Sequence, residues 1–355
     1  MIRDAHGNLL ADDADALVNT VNTEGVMGKG IALQFKRAYP EMHKAYARAA
    51  KAGEIVPGRM HVWATGAMTG PRYVINFPTK RHWRSPSRMQ DVESGLVDLV
   101  RVVRDLEITS IAVPPLGCGN GGLDWREVEP RIQRAFAELS DEVDVRVYPP
   151  EGAPAAREMV NNTSPPAVTP TRAALLALMV TYQRLSWEWP TPLVVQKLAY
   201  FLQSGGRSMR LDFAKHWYGP YDDNLRKTLR DLEGHYVVGF GDGSARPLDA
   251  DGLEVTDAGF AAADSVLKAD PDAADDFERV AHLVSGFESP SDLELLATVH
   301  WVATHEGVHT PEEAGAAIRD WTSRKATMFT QHHITVAWQA LEEGGWLTPA
   351  PAAAR

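Results

Sequence analysis

The sequence predicts an α/β layered sheet over about its first 150 residues, followed by a mainly α-helical domain with a small β-hairpin. Three observations carry this. Strand-like apolar runs alternate with helix-period segments in the first part. Between about 150 and 170 the composition turns to Pro, Ala, Ser, Thr and Asn, as in Asn161-Asn162-Thr163-Ser164-Pro165-Pro166, which reads as a linker. Beyond it, helix-start signals recur. The boundaries drawn are 1–152 for the sheet domain, 153–169 for the linker and 170–350 for the helical domain.

In order, strands are expected at Ala16–Val21, His61–Thr65, Tyr73–Phe77, Ile111–Pro115 and Val143–Tyr148. Helical patterns lie between them: Ile31–Ala52, with Pro40 restarting the helix at its first turn, then Ser87–Leu106 and Trp125–Leu139. In the second part, Thr169-Pro170 starts a helix through Arg184, and Thr191-Pro192 starts one ending at Gly205-Gly206. Thr310-Pro311-Glu312-Glu313 is a capping box with proline at the first helical position. A last helix is expected from Thr330 to Glu343, stopped by Gly344-Gly345. Gly-Asp-Gly and β-branched residues within Tyr236–Thr256 predict the hairpin. No internal repeat is present.

A chain of 355 residues, 44% hydrophobic and 23% charged, has the composition of two ordinary globular domains. With one cysteine, Cys118, no internal disulfide can form, which fits a reducing compartment. The first residues lack an apolar signal core, and no window approaches about 18 uncharged apolar residues. A cytoplasmic protein with no membrane partner is therefore expected. The net charge of -11 argues at first against nucleic acid as a partner, but its distribution changes that. Residues 55–90 contain Arg59, Arg72, Lys80, Arg81, Arg84 and Arg88 and no acid, whereas 249–294 contain thirteen acids and two bases. The first stretch can face phosphates, and the second a basic protein.

Three loops leave strands where ligands sit in such sheets, at 22–30, 78–88 and 116–122. The first contains Gly25, Gly28 and Gly30, and the third has four glycines in six residues, Gly117-Cys118-Gly119-Asn120-Gly121-Gly122. Neither fits a dinucleotide or P-loop fingerprint. Glycine lets backbone N–H groups approach an anion closely, so two such loops, each between strand and helix, suggest a cradle for a pyrophosphate.

At these loops the sequence resembles the macrodomain family, which binds ADP-ribose. The resemblance rests on Asn19-Thr20-Val21-Asn22-Thr23-Glu24-Gly25-Val26-Met27-Gly28-Lys29-Gly30, on Asn76-Phe77-Pro78-Thr79-Lys80-Arg81-His82-Trp83-Arg84 and on Pro114-Pro115-Leu116-Gly117-Cys118-Gly119. Within that family it resembles the macrodomain antitoxins paired with DarT-like toxins, which attach ADP-ribose to bases of single-stranded DNA. The second half is similar to the helical region of the same antitoxins at Gln196-Lys197-Leu198-Ala199-Tyr200-Phe201, Tyr218-Gly219-Pro220-Tyr221, Leu232-Glu233-Gly234-His235-Tyr236 and His300-Trp301-Val302-Ala303-Thr304. The resemblance implies a three-layer macrodomain, with a mixed sheet between helices. It implies hydrolysis of the bond between ADP-ribose and a DNA base, and a helical domain that binds the toxin. The expected partners are ADP-ribosylated single-stranded DNA, the ADP-ribose product and a DarT-like toxin. The chemistry needs no metal or redox cofactor. The alternative is a reader module that binds ADP-ribose without catalysis and acts only by sequestering its protein partner.

The resemblance makes Lys80 the nucleophile, attacking the anomeric carbon of a ribose and passing through a Schiff base that water resolves. Partial burial and the nearby Arg81 and Arg84 would each lower its pKa. Asn22 is implied as the carboxamide that holds the distal ribose for Lys80. Backbone N–H groups of Gly28, Gly30, Gly117, Cys118, Gly119 and Gly121 are expected on the diphosphate. Asn8, Leu9, Thr20, Val26, Met27, Ile31, Pro115, Asn120 and Tyr148 are implied around the rest of the nucleotide. Asn8 falls where many macrodomains carry an aspartate that reads the adenine amine. Cys118 reads as a small filler, since no histidine lies near it in sequence. A related lysine-using type has an aspartate near the place of Gly121. Here Asp124, three residues on, is instead expected to cap the helix at Trp125. Arg81, His82, Trp83 and Arg84 leave two readings open: a grip on single-stranded nucleic acid, or a solvated basic turn with one buried tryptophan. His300, His305 and His309, with Glu306 between, read as core or surface histidines rather than metal ligands.

Overall fold

A computed structural model describes residues 1–139, 141–246 and 248–347. It divides into two units, Met1–Ser164 with Gly241–Ser244, and Pro165–Phe240 with the chain from Ala245 onward. Residues 348–350, the end of the expected helical domain, lie outside the described residues.

In chain order the first unit contains β1 (Ile2–Asp4), β2 (Ala16–Asn22), α1 (Gly30–Ala38), α2 (Pro40–Lys51), β3 (His61–Ala64), β4 (Tyr73–Lys80), α3 (Met89–Asp105), β5 (Ser110–Val113), α4 (Trp125–Phe136) and β6 (Asp144–Val147). The strands form one sheet in the order β1-β6-β5-β2-β4-β3. Neighbours run parallel except β3, which is antiparallel to β4. This is the three-layer fold with a mixed sheet between helices. Successive residues of β2 point to opposite faces, which explains why its apolar run is nearly unbroken. Leu17 and Val21 pack with Phe35, Met42 and Tyr46 of α1 and α2. Ala16 and Val18 pack with Leu96, Leu99, Ile132 and Phe136 of α3 and α4. Pro40 divides α1 from α2 as expected, because proline keeps Tyr39 out of helical geometry (φ -129°, ψ 70°).

Two features differ from the sequence expectation. The strand β1 was not foreseen: three residues with two exposed give no apolar run. The stretch read as a linker is half absorbed into the first unit, through Ser164. Its backbone there meets real partners. Asn8 donates through Nδ2 to the Glu158 carbonyl (3.1 Å). Asn162 donates through its main chain to the Arg37 carbonyl (2.9 Å) and through Nδ2 to the Ala38 carbonyl (2.8 Å). These carbonyls at the end of α1 need outside donors because the helix stops.

The second unit contains α5 (Pro170–Ser186), α6 (Pro192–Ser204), β7 (Ala214–His216), β8 (Gly219–Tyr221), α7 (Leu225–Leu232), β9 (Val237–Val238), β10 (Glu254–Val255), α8 (Asp257–Ala269), α9 (Pro271–Val284), α10 (Pro290–His305), α11 (Pro311–Trp321), α12 (Ser323–Met328) and α13 (Gln331–Glu343). Side-chain caps explain many of the starts: Thr169, Thr191, Thr256, Asp270, Ser289, Thr310, Thr322 and Thr330 each accept from a backbone N–H of the first turn. At Thr310 the box is modified, since the Glu313 carboxylate reaches back to the N–H of His309 (2.8 Å). β9 and β10 form the hairpin expected within Tyr236–Thr256. A second one, β7 with β8, was not foreseen. His300 lies in the core, with Nδ1 on the Tyr200 hydroxyl (2.7 Å) and Nε2 on the Trp346 carbonyl (3.1 Å). Burial pushes its pKa down to about 4, so it is a neutral packing residue. Among the described residues no helix is long and apolar enough to cross a membrane.

Candidate active site

The site is built where β2 and β4 end side by side. Their pairing is regular from Ala16 opposite Tyr73 to Val21 opposite Pro78, then slips by one residue, so that Asn22 stands opposite Lys80. The extra residue, Thr79, makes a bulge, a device that re-aims the side chains beyond it. Lys80 is thus the last residue of a strand, and not a residue of the loop 78–88 where the sequence put it. The slip brings the two expected catalytic residues level.

Lys80 extends its amine to the carbonyl of Asn120, in the second glycine loop. It is half-buried, and burial lowers its pKa. The expected contribution of the arginines is not seen. Arg81 turns to the buried Asp91 of α3 in a paired contact (3.0 and 3.3 Å), and burial alone accounts for the shift at Lys80. Asp91 was missed in the sequence. Its signal is an acid in the first turn of a helix that follows a basic loop.

Asn22 is buried and folds the first glycine loop. Its Oδ1 accepts from Glu24 N (2.9 Å) and Val26 N (3.3 Å), and its Nδ2 donates to the Val26 carbonyl (2.6 Å). Tyr46, also unforeseen, donates its hydroxyl to the main-chain carbonyl of Asn22. Its signal was only an apolar-face position on α2. In that loop Met27 and Gly30 are buried while Val26 and Gly28 are exposed, and Ile31 is partly exposed. The second loop has Gly117 and Gly121 buried and Gly119 and Asn120 exposed, with Pro115 and Cys118 intermediate. Gly117 has φ +72°. At Gly121 a Cβ would lie 2.2 Å from the Gly117 carbonyl oxygen and 2.3 Å from Ser87 Oγ, so only glycine closes this turn.

The segment between β4 and α3 ties the two loops together. Thr23 donates to the Arg81 carbonyl, His82 faces Glu24 (3.6 Å), and Ser87 N–H donates to the Gly121 carbonyl (2.9 Å). At its tip Trp83 is 45% exposed, which removes the reading with a buried tryptophan. The His82 ring stacks on it at 5.6 Å and the Arg84 guanidinium lies 4.5 Å above it.

Other expected residues take structural positions. Asn8 caps the turn Leu9–Ala11, accepting from Leu10 N (3.0 Å), and Leu9 is buried beneath. Thr20 lies partly exposed along β2. Tyr148 is buried with its hydroxyl on Asp12 (2.6 Å). Burial pushes the Cys118 thiol up to about 11, with Asp124 adding to it, so it is no nucleophile at neutral pH. Asp124 caps α4 by accepting from Arg126 N (3.0 Å) and pairs with the Arg126 side chain (2.6 Å). The Gly30 N–H donates to the carbonyl of Asp242 (3.0 Å).

Residues 18–132 match the model of the Macro domain family. A Mycobacterium tuberculosis protein described as a DNA ADP-ribosyl glycohydrolase is 47% identical over 349 residues, 95% of this chain and 98% of the relative. A Thermus aquaticus protein of the same description is also 47% identical, over 98% of this chain and 95% of the relative. A Thermosipho africanus protein described as a DNA ADP-ribosyl transferase-DNA ADP-ribosyl glycohydrolase fusion is 35% identical over 159 residues, 41% of this chain and 40% of the relative.

Proposed function

This chain belongs to the family of the DNA ADP-ribosyl glycohydrolases, and from that premise we propose that it hydrolyses the bond between ADP-ribose and a DNA base, with Lys80 as nucleophile. The observation that carries the reading is the Lys80 amine, which crosses from the end of β4 to the Asn120 carbonyl between two glycine loops. That position faces the sugar of a nucleotide whose diphosphate rests on loop N–H groups. Burial favours the neutral amine needed for attack. The nitrogen bonds to the anomeric carbon as the bond to the base breaks, and the base leaves with the proton released from the amine. The ribose ring then opens as its C–O bond at the anomeric carbon breaks and the ring oxygen takes a proton from solvent, which gives a protonated Schiff base. Water adds to it, releasing ADP-ribose and returning the amine. Asn22, level with Lys80, uses one amide N–H on Val26; its other N–H serves a hydroxyl of the distal ribose.

The Trp83 platform stacks an unpaired base beside the modified one, which suits a single strand. The helical unit binds the transferase that makes the modification. The fused relative, with transferase and glycohydrolase in one chain, supports that pairing. The test is release of ADP-ribose from an ADP-ribosylated single-stranded oligonucleotide. Lys80→Ala lowers turnover by at least about a hundredfold while still binding ADP-ribose. Full activity in Lys80→Ala rejects the nucleophile, and binding without turnover by the wild type selects the reader alternative.

A further inference from the structure

The start of α1 is held by residues from far along the chain. Gly241–Ser244 belongs to the first unit although the sequence on both sides of it belongs to the second. Gly241, Asp242 and Gly243 are buried. The Asp242 carbonyl accepts from the Gly30 N–H (3.0 Å). Its carboxylate accepts from Gln34 Nε2 (2.9 Å), one turn along the same helix, and from Ser244 N (2.9 Å). Arg37 donates to the Gly241 carbonyl (2.7 Å). α1 has no side-chain cap of its own at Lys29, so this loop caps it. Gly30 also lies against the second glycine loop, since a Cβ there would be 2.9 Å from Asn120 Nδ2. The contact therefore sits beside Asn120, the residue whose carbonyl accepts from the Lys80 amine.

We propose that the Gly241–Ser244 loop is an internal occupant of the diphosphate end of the cleft, and that ADP-ribose displaces it. This rests on the reading that the Gly30 N–H serves the diphosphate. One N–H directed at the Asp242 carbonyl is not available to a phosphate oxygen. A carboxylate on the same helix end also repels a second anion. Ligand and loop thus compete, and by linkage whatever strengthens docking of the loop weakens binding of the nucleotide by the same factor.

The test uses the full chain and ADP-ribose as probe. Hydrogen exchange over 241–244 rises when wild-type protein is saturated with ADP-ribose. Asp242→Ala, which removes the carboxylate contacts, lowers the calorimetric Kd for ADP-ribose by about tenfold. Gln34→Ala acts in the same direction, and the double variant gains no more than either single one. Unchanged or increased protection of 241–244 with ligand bound overturns the proposal, as does weaker binding in both variants. The exchange measurement needs no variant, so a poorly folded substitution leaves the proposal open to refutation. Wild-type protein that binds no ADP-ribose at all removes the functional reading itself; binding with the loop still protected removes only this inference.

Discussion

Tyr46→Phe isolates one hydroxyl that holds the first glycine loop. The ring is fully buried in α2, and phenylalanine keeps its packing. What is lost is the bond to the Asn22 carbonyl and a contact with the Gly25 backbone, at the two sides of the turn. A buried carbonyl left without its donor costs about 1–3 kcal/mol. For a unit of this size each kcal/mol shifts Tm by about 2–4 °C, so 2 kcal/mol gives a fall of about 4–8 °C. The same bond keeps the loop closed before ligand arrives. A loop that must be ordered by the ligand binds ADP-ribose more weakly, by about tenfold for 1.4 kcal/mol. Differential scanning calorimetry and titration with ADP-ribose measure the two effects. If the transition of the first unit and the Kd both match wild type, the hydroxyl does not hold the loop and the reasoning is refuted.

Three other perturbations separate the parts of the site and the fold. Gly121→Ala places a methyl within 2.3 Å of Gly117 O and Ser87 Oγ. It costs about 1–3 kcal/mol and moves Asn120 away from Lys80; oligonucleotide assays then show turnover reduced by about tenfold or more. Trp83→Ala weakens binding of an ADP-ribosylated single strand by about tenfold, the worth of one stacked base, and leaves the affinity for free ADP-ribose unchanged. In the helical unit, burial pushes the pKa of Lys197, which donates to the Pro220 carbonyl (2.8 Å), down to about 7 from 10.5. Between those values the unfolded chain holds a proton that the folded chain gives up, so stability rises with pH across that window and is flat below it. Lys197→Met removes that rise in denaturation curves taken from pH 7 to 10.

The local signals read well because their physics is local. Glycine after an apolar strand marks both loops, and Asp124 before Trp125 marks a cap whether or not the rest of the chain is known. Threonine before proline starts α5, α6 and α11, since the hydroxyl serves an N–H of the first turn and proline needs none. Motifs placed Lys80 and Asn22 in one site by likeness to a family. What motifs cannot express is which side chain is already engaged. Arg81 looked like a phosphate ligand or a neighbour acting on Lys80, yet Asp91, ten residues on, takes its guanidinium.

The sequence by itself determined strands β2 to β6 and helices α1 to α4, the starts of α5, α6, α11 and α13, and the glycine character of two loops, because propensity, capping and turn chemistry act over a few residues. Tertiary structure alone decided three things: that Thr79 bulges so that Lys80 stands level with Asn22, that Tyr46 fastens the loop carrying Asn22, and that Asp242 returns from two hundred positions away to the start of α1. Each depends on pairing or packing between segments with no sequence relation. Only the folded chain brings those atoms within reach.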